Sequence, residues 1–257
     1  MILINNTPIQ IEEWNSRYPD KSLEREVLEI LIHSEEVYFY ESIEDLEFEL
    51  LLRKEIVHSA DRLNKSGLKF KVFRESICNE KYWERMNNGG FQLKKQVKAN
   101  EAIGDIYENG LKYGTECATA ILIVYYGALL SIYTEEQFNT FFSDIIIMNW
   151  HLIHPLLKEV GLVNIVSEHL PGDRRYFINP DVDPLHPEWQ GENVIDMGNG
   201  IYYGHGAGKK SAKWFIDKLN KLRKEDAKIS AYFMEEAGRP NIYNLGKLYA
   251  QSIIESI

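Results

Sequence analysis

Apolar positions repeat with a helical period over residues 42–65. Ile43, Leu46, Leu50, Val57, Ala60 and Leu63 share one face, Ser42 stands where an N-cap belongs, and Gly67 follows the end. The period then falls to two: Leu68, Phe70 and Val72 alternate with Lys69 and Lys71, the pattern of a half-buried strand. Tyr82–Met86 and Phe91–Lys95 flank Asn87-Asn88-Gly89-Gly90 and predict a hairpin. A short helix is expected from Asn100 to Gly110, and a very apolar one from about Thr115 to Leu130. Thr134-Glu135-Glu136-Gln137 reads as the capping box of the next helix. Strands are expected at Asp144–Met148 and Arg175–Ile178, and a second hairpin joins Asn193–Met197 to Ile201–Gly204 through Gly198-Asn199-Gly200. Ser211–Leu222 reads as a helix with Phe215, Leu219 and Leu222 inward, while residues 151–172 show no clear period. Helices, then mixed strands, then helices give an α+β class. No Pro-, Gly- or Ser-rich divider and no internal repeat interrupts the 257 residues, so a single domain over 1–257 is expected.

Composition narrows the functional classes. Hydrophobic residues at 44% and charged ones at 26% fit a soluble globular chain. Acidic residues outnumber basic ones 39 to 29, a net charge of −10, and no basic run or stripe favours nucleic acid. The N-terminus has neither the cationic segment nor the apolar core of a secretory signal. The most apolar window, Ala118–Leu130, is about thirteen residues, short of the roughly twenty a membrane span needs. The expectation is a protein made and retained in the cytoplasm. Two cysteines, Cys78 and Cys117, cannot make a disulfide framework.

Cys117 is the first candidate for chemistry. It lies in Gly114-Thr115-Glu116-Cys117-Ala118, with Thr115 read as the N-cap of the apolar helix. Unpaired N–H groups and the positive helix end favour thiolate, the nucleophilic form. The neighbouring Glu116 opposes it by charge. The competing reading is a small buried core residue; Cys78 is read as structural. Glu192 and His205 are the second candidate. If Asp196 pairs with Ile201, the two lie opposite each other across the second hairpin, a carboxylate and an imidazole able to orient each other and move protons. A surface ion pair is the bland alternative. Trp150 and Trp189 flank polar segments and suit the wall of a narrow, water-poor site, or plain core packing. Gly206-Ala207-Gly208-Lys209-Lys210-Ser211 departs from a phosphate loop in its first glycine and in its magnesium-binding hydroxyl. His151 and His154 lack the partners of a zinc site, and Asp181-Val182-Asp183 lacks the glycine and final glutamate of a calcium loop. No metal or other cofactor is expected.

Several long motifs occur together and in order. Ala102-Ile103-Gly104-Asp105-Ile106-Tyr107-Glu108-Asn109-Gly110 continues through Glu116-Cys117-Ala118-Thr119-Ala120-Ile121 to Tyr125-Tyr126. Ser66-Gly67-Leu68-Lys69-Phe70 precedes them, and Trp189-Gln190-Gly191-Glu192-Asn193-Val194-Ile195, His205-Gly206 and Ser230-Ala231-Tyr232 follow. From about residue 40 to 239 the chain resembles the spore-coat transglutaminases of endospore-forming bacteria. The resemblance implies a compact relative of papain-like thiol hydrolases, a central mixed or antiparallel sheet flanked by helices. It implies Cys117 as nucleophile, Glu192 as acid/base, Glu116 sharing that role, and His205 completing the arrangement. Phe70, Trp150 and Trp189 match tunnel-lining aromatics, and no calcium is implied. The partners implied are proteins supplying glutamine and lysine, in the spore coat, with neither nucleic acid nor membrane. The reaction would pass through a γ-glutamyl thioester, with the Cys117 N–H available to the oxyanion. A thiol amidase or peptidase on the same scaffold, or a non-catalytic coat protein, are the alternatives. The chain departs from the family at Asn149, where an acid is usual, at Lys209-Lys210, and in the weakly matching first forty residues and the longer tail beyond Arg239.

Overall fold

A helix that is apolar on all sides has to be enclosed on all sides, and this one is. In the computed structural model, which describes residues 1–9, 14 and 16–255, the helix starting at Cys117 is buried along nearly its whole length. Residues 10–13, 15, 256 and 257, parts of the two weakly matching ends, lie outside the described residues.

Seven helices and fifteen short strands are named among the described residues, in chain order. The N-terminal part runs β1 (Ile2–Ile4), β2 (Thr7–Pro8), α1 (Leu23–His33), β3 (Tyr38–Tyr40), α2 (Ile43–Lys65) and β4 (Lys69–Phe70). The middle runs β5 (Trp83–Arg85), β6 (Phe91–Leu93), α3 (Ala99–Glu108), β7 (Gly114–Thr115), α4 (Cys117–Ile132), α5 (Glu135–Phe141), β8 (Ile146–Ile147) and β9 (Asn164–Ile165). The last part runs β10 (Arg174–Ile178), β11 (Gly191–Asp196), β12 (Ile201–Gly204), β13 (Gly208–Ser211), α6 (Ala212–Asn220), β14 (Tyr232–Phe233), β15 (Glu236–Ala237) and α7 (Ile242–Glu255). Five strands form one antiparallel sheet in the order β13-β12-β11-β10-β14. The class is α+β, in one compact unit.

α2 carries the capping box at Ser42 and Asp45, and Gly67 follows it at φ +86°, the left-handed region. Its burial is wider than one stripe. Phe48, Leu52, Ile56, Ala60 and Leu63 join the main core around α4, while Leu46 and Leu50 close a second core with Val27, Leu28 and Leu31 of α1. Ile43, expected inward, is exposed at the helix mouth and Val57 is only half-buried. The expected capping box of α5 is present, with Thr134 and Gln137 exchanging bonds. The first hairpin forms as read, with Trp83 opposite Leu93.

Four local expectations are corrected. Leu68–Val72 does not become a strand with Leu68, Phe70 and Val72 inward: only Lys69–Phe70 pairs, in parallel, with Gly114–Thr115, and Phe70 is 36% exposed. The N-cap of α4 is Glu116, because Thr115 is held in that parallel pair. α6 ends at Asn220, leaving Leu222 half-buried beyond it. The register of the second hairpin is shifted by one: Asp196 pairs with Tyr202, not Ile201. Gly198, Asn199 and Gly200 all take positive φ and form the whole loop, so Met197 closes on Ile201.

Candidate active site

Cys117 is the first residue of α4, delivered there by β7, and the sheet face carrying β10 and β11 packs on the helix start. Glu116 caps the helix with its carboxylate. It accepts from the N–H of Ala118 at 2.6 Å and of Thr119 at 2.7 Å, and from the Thr119 hydroxyl. Thr119 Oγ1 in turn accepts from the Asn149 N–H at 3.0 Å, tying the Trp150 segment to the same turn. Burial raises the Glu116 carboxyl, and these hydrogen bonds, with one from Cys117, pull it back.

The Cys117 thiol is strongly raised. Burial is the largest cause, followed by the charges of Glu192 and then of Glu116. Asn193 opposes this by donating to sulfur, its side-chain Nδ2 lying 3.5 Å from Sγ. The dipole argument for a ready thiolate therefore loses here. The N–H groups that would have favoured it are already taken by the Glu116 carboxylate, and the resting sulfur is a neutral thiol.

Glu192 lies in β11 opposite Phe177, buried to 6% exposure. Its carboxyl is raised well above the ordinary range by burial, then by the Glu116 charge, against one hydrogen bond from the His205 main-chain N–H. Its Oε1 has no hydrogen-bond partner among the described residues.

His205 is thus joined to Glu192, but through its main chain. The one-residue shift in the hairpin moves the ring off the facing position that the sequence expected. Its Nε2 lies 3.2 Å from the Lys69 carbonyl, and the Thr115 carbonyl is the ring's second partner. Burial lowers the imidazole to about 4, against both of these bonds, so it is neutral near pH 7. The ring ties the end of β12 to the β4–β7 pair.

Phe70 and Trp189 wall a pocket of about 150 Å³ that also touches Glu188, Gly206 and Ala207 and is floored by Glu192 and His205. Gly206 sits at φ +89°, where a Cβ would approach that of Phe70 to 3.0 Å. Trp150 is not among the residues lining this pocket, and the Arg174 guanidinium lies 4.1 Å from its ring centroid. Cys117, Glu116, Glu192 and the pocket formed by Phe70 and Trp189 therefore converge, while Trp150 reaches the site through Arg174.

Three neighbours of the thiol were not singled out from the sequence. Asn193 touches the sulfur, and Arg174 and Tyr176 lie close enough that a charge on Cys117 would raise both of them. The available signal was strand alternation: Arg174 and Tyr176 share a face, and Asn193 follows Glu192 directly in a strand.

The chain has clear relatives. A family model described as protein-glutamine gamma-glutamyltransferase matches residues 1–249. A protein of that name from Bacillus mycoides is 40% identical over 236 residues, covering 91% of this chain and 84% of its own length. One from Bacillus cereus is 39% identical over 241 residues, covering 93% and 86%. Among solved structures, a transglutaminase from Geobacillus stearothermophilus, without its C-terminal extension, superposes with a TM-score of 0.76 at 41% identity. The match covers 80% of this chain and 98% of that one.

Proposed function

The chain belongs to the protein-glutamine gamma-glutamyltransferase family, and on that premise we propose that Cys117 is the nucleophile and Glu192 its principal proton carrier. The observation that carries this assignment is the unequal commitment of the two carboxylates. Glu116 is committed to three hydrogen bonds from Ala118 and Thr119 and one from the Cys117 thiol, while Glu192 accepts one and its Oε1 has no partner among the described residues. The charge of Glu192 also weighs more on the thiol than that of Glu116.

The reaction begins from a neutral thiol. Its proton passes to the carboxylate, and the freed electron pair attacks the carboxamide carbon of a protein glutamine. The proton then goes to the departing nitrogen, the C–N bond breaks and ammonia leaves, giving a γ-glutamyl thioester. A lysine ε-amine enters, attacks the thioester carbonyl and gives a proton to Glu192. The C–S bond breaks, the proton on Glu192 returns to sulfur, and an isopeptide remains. Glu116 is a partial substitute in both proton steps. A carboxyl held above its ordinary range by burial suits both directions of transfer near neutral pH. Phe70 and Trp189 present apolar surface at the approach to Glu192 and limit the water that would hydrolyse the thioester. His205 positions Glu192 through its main-chain N–H. Trp150 serves the same site through Arg174.

Amine incorporation into a glutamine-bearing protein tests the nucleophile. Cys117→Ala abolishes it, and a variant that cross-links at the wild-type rate removes Cys117 from the role. The Gln and Lys substrates are spore-coat proteins on this reading, which the resemblance to spore-coat transglutaminases supports. Coat extracts from spores lacking this protein are expected to contain less γ-glutamyl-lysine; unchanged content would move its substrates elsewhere.

A further inference from the structure

Among the described residues, six buried side-chain polar atoms have no hydrogen-bond partner, and three of them belong to residues that bond to or couple electrostatically with one sulfur: Arg174 Nε, Glu192 Oε1 and Asn193 Oδ1. Buried polar groups are ordinarily paired, so a concentration of orphans beside a nucleophile marks a place arranged for something other than the resting fold.

The sheet geometry explains how they get there. Arg174 pairs with Ile195 and Tyr176 with Asn193, so these four side chains share one face of β10 and β11. Ile195 packs in the main core with Ile121 and Val124 of α4, which identifies that face as the one meeting the helix. Phe177 and Val194 occupy the other face, against Phe215 of α6. Glu192 shares their face and reaches the site at the sheet's end beside His205. Asn193 alone of the adjacent pair is presented straight at the start of α4.

Two donors of Asn193 meet the sulfur. Its side-chain Nδ2 lies 3.5 Å from Cys117 Sγ, and its main-chain N–H donates to the same atom. Asn193 is itself 7% exposed. Arg174 brings a cation into the same compartment, 6% exposed, fixed by the Val160 carbonyl at 2.7 Å from Nη1 and by the Trp150 ring. His205, neutral and bonded to main chain, supplies no charge there.

We propose that Asn193 is a catalytic residue that holds the Cys117 sulfur as thiolate with its side-chain and main-chain N–H groups, in the place an imidazolium takes in a thiolate–imidazolium pair. The proposal rests on Cys117 being the nucleophile. When the S–H proton moves to the carboxylate, negative charge appears on sulfur. Two N–H dipoles already aimed at it, with the Arg174 charge behind, stabilise that charge without reorganisation. The electron pair then forms the S–C bond, and the two donors are released as the charge leaves sulfur for the carbonyl oxygen. The main-chain donor survives any substitution at 193, so the side-chain donor is the part a variant can remove.

The test reads the sulfur directly. Iodoacetamide alkylates thiolate, and mass spectrometry of the Cys117 peptide separates it from Cys78. Asn193→Ala and Asn193→Asp are compared with wild type across pH, with circular dichroism confirming the fold. A hydrogen bond to an ionised group is worth about ten- to a hundredfold in an equilibrium constant. Alkylation of Cys117 is therefore expected to slow by at least about tenfold in Asn193→Ala, with its pH profile displaced upward. It should slow further in Asn193→Asp, which is near-isosteric but replaces the donor with a third carboxylate. If the alanine variant does not fold, the aspartate variant decides. A Cys117 pH profile that coincides with wild type in a folded variant overturns the proposal. Failure of the transferase reading is distinct: it would appear as amine transfer surviving in Cys117→Ala, while alkylation still reported on how Asn193 treats the sulfur.

Discussion

Glu192→Gln should move two assays in opposite directions. The variant keeps the size of the side chain and an oxygen to accept the His205 N–H, so the local fold has little reason to change. It removes the proton carrier, and positioned general acid–base groups contribute about 10²–10⁴ in rate. Amine transfer should fall by that factor. It also removes the larger of the two carboxylate charges that raise the Cys117 thiol. Where wild-type Glu192 would be ionised, the variant sulfur ionises more readily, and iodoacetamide should reach it faster, on the order of tenfold. Below the raised carboxyl's own titration Glu192 is neutral in the wild type, so the two alkylation profiles converge toward acid and separate toward alkali. The measurement pairs fluorescent-amine incorporation with alkylation of the Cys117 peptide over the same pH series. Retention of transfer within about threefold of wild type would remove Glu192 from the proton steps, given that general acid–base loss is far larger. A parallel fall in both assays would instead mean that the variant had closed the site.

His205→Gln should make the protein less sensitive to acid. The folded imidazole lies at about 4 against an ordinary 6.5, so the unfolded chain binds the proton first. Stability attached to the neutral ring is complete above pH 6.5 and is lost as pH falls through 6.5 toward 4, by about 3 kcal/mol. Urea midpoints at pH 7 and pH 4.5 should differ less in the variant than in wild type, and equal differences would refute the burial argument. Gly127→Ala places a methyl group onto the Tyr107 hydroxyl and 2.6 Å from Ser59 Oγ. It must break the Ser59–Tyr107 bond of 2.6 Å within the α2–α4 packing, costing about 1–3 kcal/mol in urea unfolding. Chelator should leave amine transfer unchanged, because each proton step is assigned to Glu192 or Glu116, and loss of activity restored by calcium would break that assignment.

The long helices were readable because their apolar period and caps are local, as at Ser42–Asp45 and Thr134–Gln137. Motif resemblance identified Cys117, Glu116 and Glu192 from side-chain order along the chain, and the structure brings these three together. What escaped depends on register and on packing between distant segments. The ring of His205 turned from an expected partner of Glu192 into a tie to Lys69 through a shift of one residue across Gly198-Asn199-Gly200. Phe70, which the alternation put in a half-buried strand and the resemblance among tunnel-lining aromatics, lines a pocket, and only two residues of its segment find a neighbour to pair with. Arg174 and Asn193 were invisible as a pair, since 19 positions of sequence separate residues that strands β10 and β11 set side by side.

The electrostatics of the site favour moving a charge over creating one. Two buried carboxyls, each raised by burial and Glu192 further by the Glu116 charge, do not readily ionise together, and the thiol beside them is raised by both. With one carboxylate ionised, the resting group carries a single negative charge. Passing the thiol proton to that carboxylate leaves the total unchanged and shifts the charge onto sulfur, where Asn193 meets it. No additional ion has to be desolvated, which is the costly step in a buried site. The capping bonds that Glu116 makes to Ala118 and Thr119 set the direction of the exchange. They commit its carboxylate to the helix start, which leaves Glu192 as the carboxylate that exchanges a proton with sulfur. Glu116→Gln should therefore weaken the helix cap by roughly 1 kcal/mol, and reduce transfer by less than Glu192→Gln. Measured side by side, the reverse ranking would place the working proton on Glu116.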